Sequence, residues 1–161
     1  MSVDFELVPA LIAGLTGTVA MTAMMMIGKS MGMTSMDIAL ITGGMMTDDE
    51  AKARKVGMMI HIVMMGTIVF GIAYTLLFQA FDSTSAATGL LIGAIHGIVV
   101  GAMAMPMMGV IHPRMQAAGQ GFHLDSPGFM GVQYGKGTPA GLLMGHAIYG
   151  LVVALVYGAL I

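Results

Sequence analysis

The chain has no cysteine and little charge. Only 9% of its 161 residues are Asp, Glu, Lys or Arg, against roughly 25% in soluble domains. The absence of cysteine excludes disulfides, thiolate metal sites and cysteine nucleophiles. The formal net charge is −2, and no basic patch is present, so nucleic acid is not an expected partner.

Charged residues are missing altogether from four long stretches, residues 7–28, 57–81, 88–111 and 138–161. Each is 22 to 25 residues long, which lets a helix cross the roughly 30 Å hydrocarbon core of a bilayer. A soluble helix of this length would carry a charged face, and none of these does. The sequence therefore predicts an all-α integral membrane four-helix bundle. It forms a single domain, residues 1–161, with links at residues 29–56 and 112–137.

The basic residues predict the orientation. All six fall in the two links, and they are Lys29, Lys52, Arg54, Lys55, Arg114 and Lys136. The N-terminal tail, the turn at residues 82–87 and the C-terminus contain none. Because Lys and Arg are retained on the cytoplasmic side, we expect both links in the cytoplasm and both termini outside. The predicted location is the cytoplasmic (inner) membrane, as a multi-pass protein.

Three helix starts can be placed from local signals. Thr47 and Glu50 have the spacing of a capping box, which predicts that the second span begins just after Thr47. Thr138 followed by Pro139 predicts an N-cap and the first residue of the fourth span. A short interfacial helix is expected at residues 36–42.

A stripe of glycines marks one face of the third span, at Gly89, Gly93, Gly97 and Gly101. Small residues let helix backbones approach closely in membranes, where packing and not the hydrophobic effect drives association. We expect a contact within the chain, most simply with the fourth span, where Ala140, Gly141 and Gly145 are small. A seam in a homodimer or larger membrane complex is the alternative.

Histidines are the only ionisable residues expected at depth. His61, His96 and His146 lie inside predicted spans, where an imidazole must find a partner, most simply a neighbouring helix. At 1.5 Å per residue, His61 and His146 lie in the cytoplasmic half, and His112 closes the third span there. We therefore predict that His61, His112 and His146 form one polar cluster with Arg114 at its mouth. His96 enters from the other face and is expected to lie apart.

Methionine is abundant, with 21 residues. Thioether and imidazole together suit Cu(I), and haem between two helices needs two facing histidines. Methionine is also apolar and helix-compatible, so packing and lipid contact are the simpler interpretation. A copper or haem site at His61, His112 and His146 is therefore an alternative that we do not favour. Arg114 is a candidate for binding a lipid headgroup phosphate, or an ordinary interfacial anchor.

Several stretches together resemble a family of small four-span bacterial membrane proteins with no assigned activity. They include Gly57-Met-Met-Ile-His61, Met105-Pro106, His112-Pro-Arg-Met115 and His146-Ala-Ile-Tyr-Gly150. The resemblance covers residues 36–157 and implies the fold, the topology and candidate residues, but no function. All the candidate histidines and Arg114 match the family pattern, whereas Gln133 and the high methionine content depart from it.

Catalytic motifs are missing from the sequence. It has no H-E-x-x-H box, no serine in the last three spans and no Asp, Glu, Lys or Arg at depth. We therefore expect a non-enzymatic integral membrane protein, an accessory, scaffold or lipid-interacting subunit, with membrane lipid as a partner. The alternative is a metal- or haem-binding membrane protein that uses the inner-half histidines. A transporter ranks third, because four spans form a pathway only in an oligomer.

Overall fold

A computed structural model of the chain describes residues 2–116 and 121–161, and these residues form helices and no strand. The helices are α1 (Leu7–Ser30), α2 (Ile38–Gly44), α3 (Glu50–Ala80), α4 (Ala86–Ile111) and α5 (Thr138–Leu160). Two 3₁₀ turns, Pro113–Met115 and Phe129–Tyr134, lie between α4 and α5. Residues 117–120 of the predicted second link lie outside the described residues.

Four of the helices are long and apolar enough to cross a membrane. They are α1, α3, α4 and α5, with 24, 31, 26 and 23 residues. Large apolar side chains on their outer faces are exposed, among them Val8, Leu91, Ile95, Val110 and Leu155. An apolar surface of this extent is covered by lipid in a membrane protein. The predicted all-α membrane four-helix bundle is confirmed.

The chain termini and the α3–α4 turn meet at one end of the bundle. The Val3 amide donates to Oδ1 of Asp82 at 2.7 Å. The Tyr157 hydroxyl, near the end of α5, accepts from the Glu6 amide at 2.8 Å. These bonds tie the N-terminal tail to both the turn and the last helix.

The two links meet at the opposite end. The Ser35 amide donates to the carbonyl of Tyr134 at 2.7 Å, and the hydroxyls of Thr34 and Thr138 lie 2.7 Å apart. Lys29 at the end of α1 forms an ion pair with Asp37 before α2. All the basic residues of the chain therefore belong to this end, which we call the link end.

The helices do not pack evenly around the bundle. α5 packs closely with both α4 and α1, and α1 packs on α3. α3 and α4 approach each other mainly through the side chains of Phe70, Tyr74 and His96. This arrangement leaves space between α3 and α4 toward the link end.

The glycine stripe lies mostly against α5 of the same chain. A β-carbon added at Gly89 would collide with the carbonyl of Gly150, and one at Gly93 would collide with the carbonyl of His146. At Gly97 the nearest atom would be Cβ of His146, at 3.2 Å. The fourth stripe residue, Gly101, instead faces the side chain of Met130 in the second 3₁₀ turn.

The partners of the stripe on α5 differ from those expected. They include Ala147, Gly150 and Ala154, which share one face of α5. Gly145 faces methionines of α1 on another side of the helix, and a β-carbon at Gly141 would meet no atom within 4 Å. The sequence pattern identified small residues on α5 but chose the wrong face, because it does not define helix rotation.

The start of α3 also differs from the prediction. Asp49 is the N-cap, and its side chain accepts from the Lys52 amide at 2.9 Å. The Thr47 hydroxyl accepts from the Asp49 amide at 3.3 Å, so it forms a turn before the helix. The capping box between Thr47 and Glu50 is wrong, because Asp49 occupies the capping position and α3 begins at Glu50.

The N-cap prediction for α5 needs a similar correction. The N-cap is Gly137, and Thr138 is the first residue of the helix. The Thr138 hydroxyl is bound to Thr34 of the first link instead of capping α5. The side chain therefore joins the two links, a tertiary role that the local pattern did not indicate.

Candidate ligand cavity

The space between the helices is a cavity of about 370 Å³. This volume lies within the roughly 300–1,000 Å³ typical of sites for small molecules, which often lie between the helices of bundles. Nine methionines line it, namely Met21, Met24, Met25, Met33, Met36, Met45, Met65, Met105 and Met108. Their flexible, unbranched side chains adapt readily to the shape of a bound molecule.

Three imidazoles also line the cavity, each from a different helix. They are His61 of α3, His96 of α4 and His146 of α5. The ring centroids of His96 and His146 lie 4.6 Å apart, with the rings at 77°. The two rings thus form an edge-to-face pair on a mainly apolar wall.

Each ring is held by one hydrogen bond. Nδ1 of His146 lies 2.8 Å from the Leu142 carbonyl in the preceding turn of α5. Nδ1 of His96 lies 3.0 Å from the Tyr74 hydroxyl of α3. For His61, Nε2 lies 3.3 Å from the Thr22 hydroxyl of α1. Every cavity histidine is thus oriented, and its second ring nitrogen forms no hydrogen bond with the described residues.

His112 lies elsewhere and has a structural role. Its side chain is fully buried, Nε2 donates to the Ile41 carbonyl of α2 at 2.7 Å, and Nδ1 accepts from the Arg114 amide at 3.1 Å. Both ring nitrogens are therefore occupied by backbone groups. His112 fixes the end of α4 to α2, and it does not line the cavity.

The predicted histidine grouping is thus corrected in two respects. The structure brings His61 and His146 to one cavity, but it leaves His112 outside and brings in His96, which was expected to lie apart. A signal for His96 was present in the sequence, because it lies between Gly93 and Gly97 of the stripe. Those glycines pack directly on His146, so any contact of the stripe with that turn of α5 brings the two rings together.

The three histidines considered as copper or haem ligands, His61, His112 and His146, do not come together at one site. Within residues 2–116 and 121–161, no three His, Asp or Glu side chains lie close enough together to hold a metal ion. His112, one of the three predicted ligands, has no free ring nitrogen. The lipid-headgroup role of Arg114 stays a prediction; the residue is half-buried in the first 3₁₀ turn at the link end.

Two π-helical segments form part of the cavity wall. They are Ile60–Phe70 in α3 and Val100–Ala104 in α4, and the second ends two residues before Pro106. π-Helical turns widen the helix and are frequent at functional sites. The Tyr149 hydroxyl of α5 donates to the Gly66 carbonyl at 2.7 Å and so ties the longer segment to the opposite wall.

Helix α2 contributes the wall at the link end and is anchored by Asp37. The Asp37 carboxylate caps α2 by accepting from the Leu40 amide at 3.0 Å, and it pairs with both Lys29 and Arg54. Burial acts to raise the pKa of Asp37, but the hydrogen bonds and the neighbouring positive charges outweigh it and lower the pKa below 3.8. The carboxylate stays ionised at neutral pH and holds α1, α2 and α3 together.

The cavity can hold an apolar molecule and offer it a few hydrogen bonds. Among the described residues that line it there is no Asp, Glu, Lys or Arg, so these residues provide no charge for an ionic ligand. No family model, curated protein or solved structure matches this chain. The resemblance to small four-span bacterial proteins therefore stays a prediction, and the function has to be inferred from the chemistry of the cavity.

Proposed function

We propose that this protein is a non-enzymatic integral membrane protein that binds a lipid-like, apolar ligand in the cavity between α3 and α4. The observation that carries the proposal is the cavity of about 370 Å³ lined by nine methionines. An apolar ligand in this cavity would gain dispersion contacts with the surrounding side chains and would so stabilise the bundle. Of the roles expected from the sequence, lipid interaction is the one that the cavity supports.

The chemistry of the wall favours a ligand from the membrane. A charged or strongly polar molecule would lose its hydration without gaining ionic partners. An apolar molecule dissolved in the bilayer has no such cost. Because α3 and α4 meet through side chains, the boundary between them is the natural route of entry from lipid.

Filling the cavity is expected to prevent binding. Gly141 lines the cavity and has open space around it, so Gly141→Phe places a ring inside without a backbone collision. We expect ligand occupancy to fall about tenfold or more, because the ring and the ligand compete for one volume. The measurement is native mass spectrometry of the purified protein, with the lipids that remain bound identified and quantified.

Met144→Phe is the matched control for this experiment. Met144 lies on the same helix, is 55% exposed and does not line the cavity. It should retain the occupancy of the unmodified protein. Equal loss of lipid in both variants, or no loss in Gly141→Phe, would contradict binding in the cavity.

We also infer that the link end faces the cytoplasm and that both termini lie outside, in the cytoplasmic membrane. All six basic residues belong to the link end, and the opposite end has none. Lys and Arg within short loops are retained on the cytoplasmic side during insertion. A ligand in the cavity would then lie toward the inner leaflet.

Reporter fusions test this orientation. Alkaline phosphatase, which is active only outside the cytoplasm, should be active when fused after Ile161. It should be inactive when inserted after Gly32, where the chain is open to its surroundings. A fluorescent protein that matures only in the cytoplasm should give the opposite pattern, and reversal of both results would refute the orientation.

A further inference from the structure

His146 presents a hydrogen-bond acceptor to the cavity. Its Nδ1 is bonded to the Leu142 carbonyl, and a carbonyl oxygen only accepts, so Nδ1 carries a proton. An apolar surrounding favours the neutral ring, because charge at depth in a membrane is costly. In the neutral ring Nε2 is then unprotonated. Nε2 of His146 therefore needs a donor.

His96 presents the complementary group. The Tyr74 side chain is only 2% exposed, and its hydroxyl has no other hydrogen-bond partner among the described residues. The hydroxyl proton is satisfied only if it is donated to Nδ1 of His96. The proton of the neutral imidazole then lies on Nε2, which becomes a donor. Nε2 of His96 therefore needs an acceptor.

The two nitrogens do not satisfy each other. The rings lie 4.6 Å apart edge to face, and neither Nε2 is hydrogen-bonded to any described residue. Both Nε2 atoms keep some accessible surface, and both rings line the cavity. A molecule in the cavity can therefore reach them. The histidine pair thus offers the cavity one donor and one acceptor side by side.

From this pair we infer that the ligand is a lipid alcohol, an apolar molecule whose hydroxyl accepts from His96 and donates to His146. This inference rests on the proposed function. A hydroxyl both donates and accepts, whereas a ketone, an ester or a carboxylate only accepts and an ammonium only donates. The remaining wall suits a hydrocarbon skeleton. His61 is not assigned a role, because its partner is the Thr22 hydroxyl, which can donate or accept and so does not fix which ring nitrogen carries the proton.

A matched set of probes tests the inference on the purified, delipidated full chain in detergent. Farnesol, farnesyl methyl ether and farnesene share one hydrocarbon skeleton and differ only in the polar group. Farnesol should bind about tenfold more tightly than the ether, which cannot donate to His146, and more tightly than farnesene. Affinities are measured by native mass spectrometry with isothermal titration calorimetry.

Conservative variants separate recognition of the hydroxyl from folding. His146→Asn keeps a donor for the Leu142 carbonyl and removes the Nε2 acceptor. His96→Asn keeps an acceptor for Tyr74 and removes the Nε2 donor, whereas His96→Gln replaces that donor. Each Asn variant removes one of the two hydrogen bonds, so it should reduce the preference for farnesol over farnesene about tenfold with farnesene affinity unchanged, and His96→Gln should restore the preference.

The outcomes also separate this inference from the proposed function. Equal binding of all three probes by the unmodified protein, lost in Gly141→Phe, would overturn recognition of a hydroxyl and leave the apolar cavity site standing. A farnesol preference that is undiminished in both Asn variants would overturn the assignment to His96 and His146. Failure of every probe to bind would overturn both proposals.

Discussion

Gly93→Ala is expected to destabilise the bundle strongly. The added β-carbon would collide with the His146 carbonyl and lie 2.8 Å from Cα of Ala147. Both obstacles are backbone atoms of α5, so the two helices have to separate and cannot simply reorient a side chain. Overpacking of this kind costs about 1–3 kcal/mol. The upper part of that range exceeds the roughly 0.5–1 kcal/mol by which Ala is favoured over Gly inside a helix. We expect a clear loss of thermal stability in detergent, measured by unfolding of the purified protein.

Two alanine variants control for the substitution itself. At Gly97 the new atom would lie 3.2 Å from Cβ of His146, so Gly97→Ala should have a smaller effect. At Gly141 it would meet no atom within 4 Å, and Gly141→Ala should be neutral or stabilising by up to about 1 kcal/mol. Equal unfolding temperatures for Gly93→Ala and Gly141→Ala would show that the stripe does not depend on close packing with α5.

The membrane spans were predictable because each one contains more than twenty consecutive residues without a charged side chain, a pattern that can be read directly from the sequence. The start of α4 shows the limit of this signal. The predicted span begins at residue 88, whereas the helix begins at Ala86, where the Ser85 side chain accepts from the Thr88 amide. The start of α3 was mispredicted because Thr47 and Asp49 can both act as an N-cap. Which of the two does so depends on the tertiary path of the chain, and in the structure it is Asp49.

The cavity histidines were harder to predict because helix rotation and tilt decide which side chains meet. Depth alone grouped His112 with His61 and His146, but the backbone at His112 leaves the helix and turns the ring toward α2. By the same count of residues from the membrane face, His96 was expected to lie at a different depth from His61 and His146. Its position depends on the stripe, which brings that part of α4 directly onto His146.

The high methionine content likewise did not show which methionines line the cavity and which face lipid. Met24, Met25 and Met26 are consecutive, yet the first two line the cavity and the third is 63% exposed on the outer face. Met144 is likewise exposed, although the helix that carries it also contributes to the cavity. One apolar residue type thus serves both as an adaptable lining and as a lipid-facing surface, and composition does not separate the two.

The crossing of α2 over α3 is the second place where a single methyl group should have a large effect. A β-carbon at Gly57 of α3 would collide with the Ala39 carbonyl of α2 and lie 2.6 Å from the Gly43 amide. A β-carbon at Gly43 would collide with the Ala53 carbonyl in return. The two helices therefore touch through backbone at both glycines, and neither position has room for alanine.

Gly57→Ala is expected to displace α2 and lower the free energy of unfolding by about 2 kcal/mol or more. Because α2 forms the link-end wall of the cavity, the same change should accelerate trypsin cleavage after Lys29, whose partner Asp37 caps α2. Thermal unfolding and limited proteolysis measure the two effects. Gly28→Ala is the matched control, since it adjoins Lys29 and a β-carbon there would meet nothing within 4 Å. If both variants unfold and are cleaved alike, α2 is not held by close backbone packing, and its ion pairs with Lys29 and Arg54 must hold it instead.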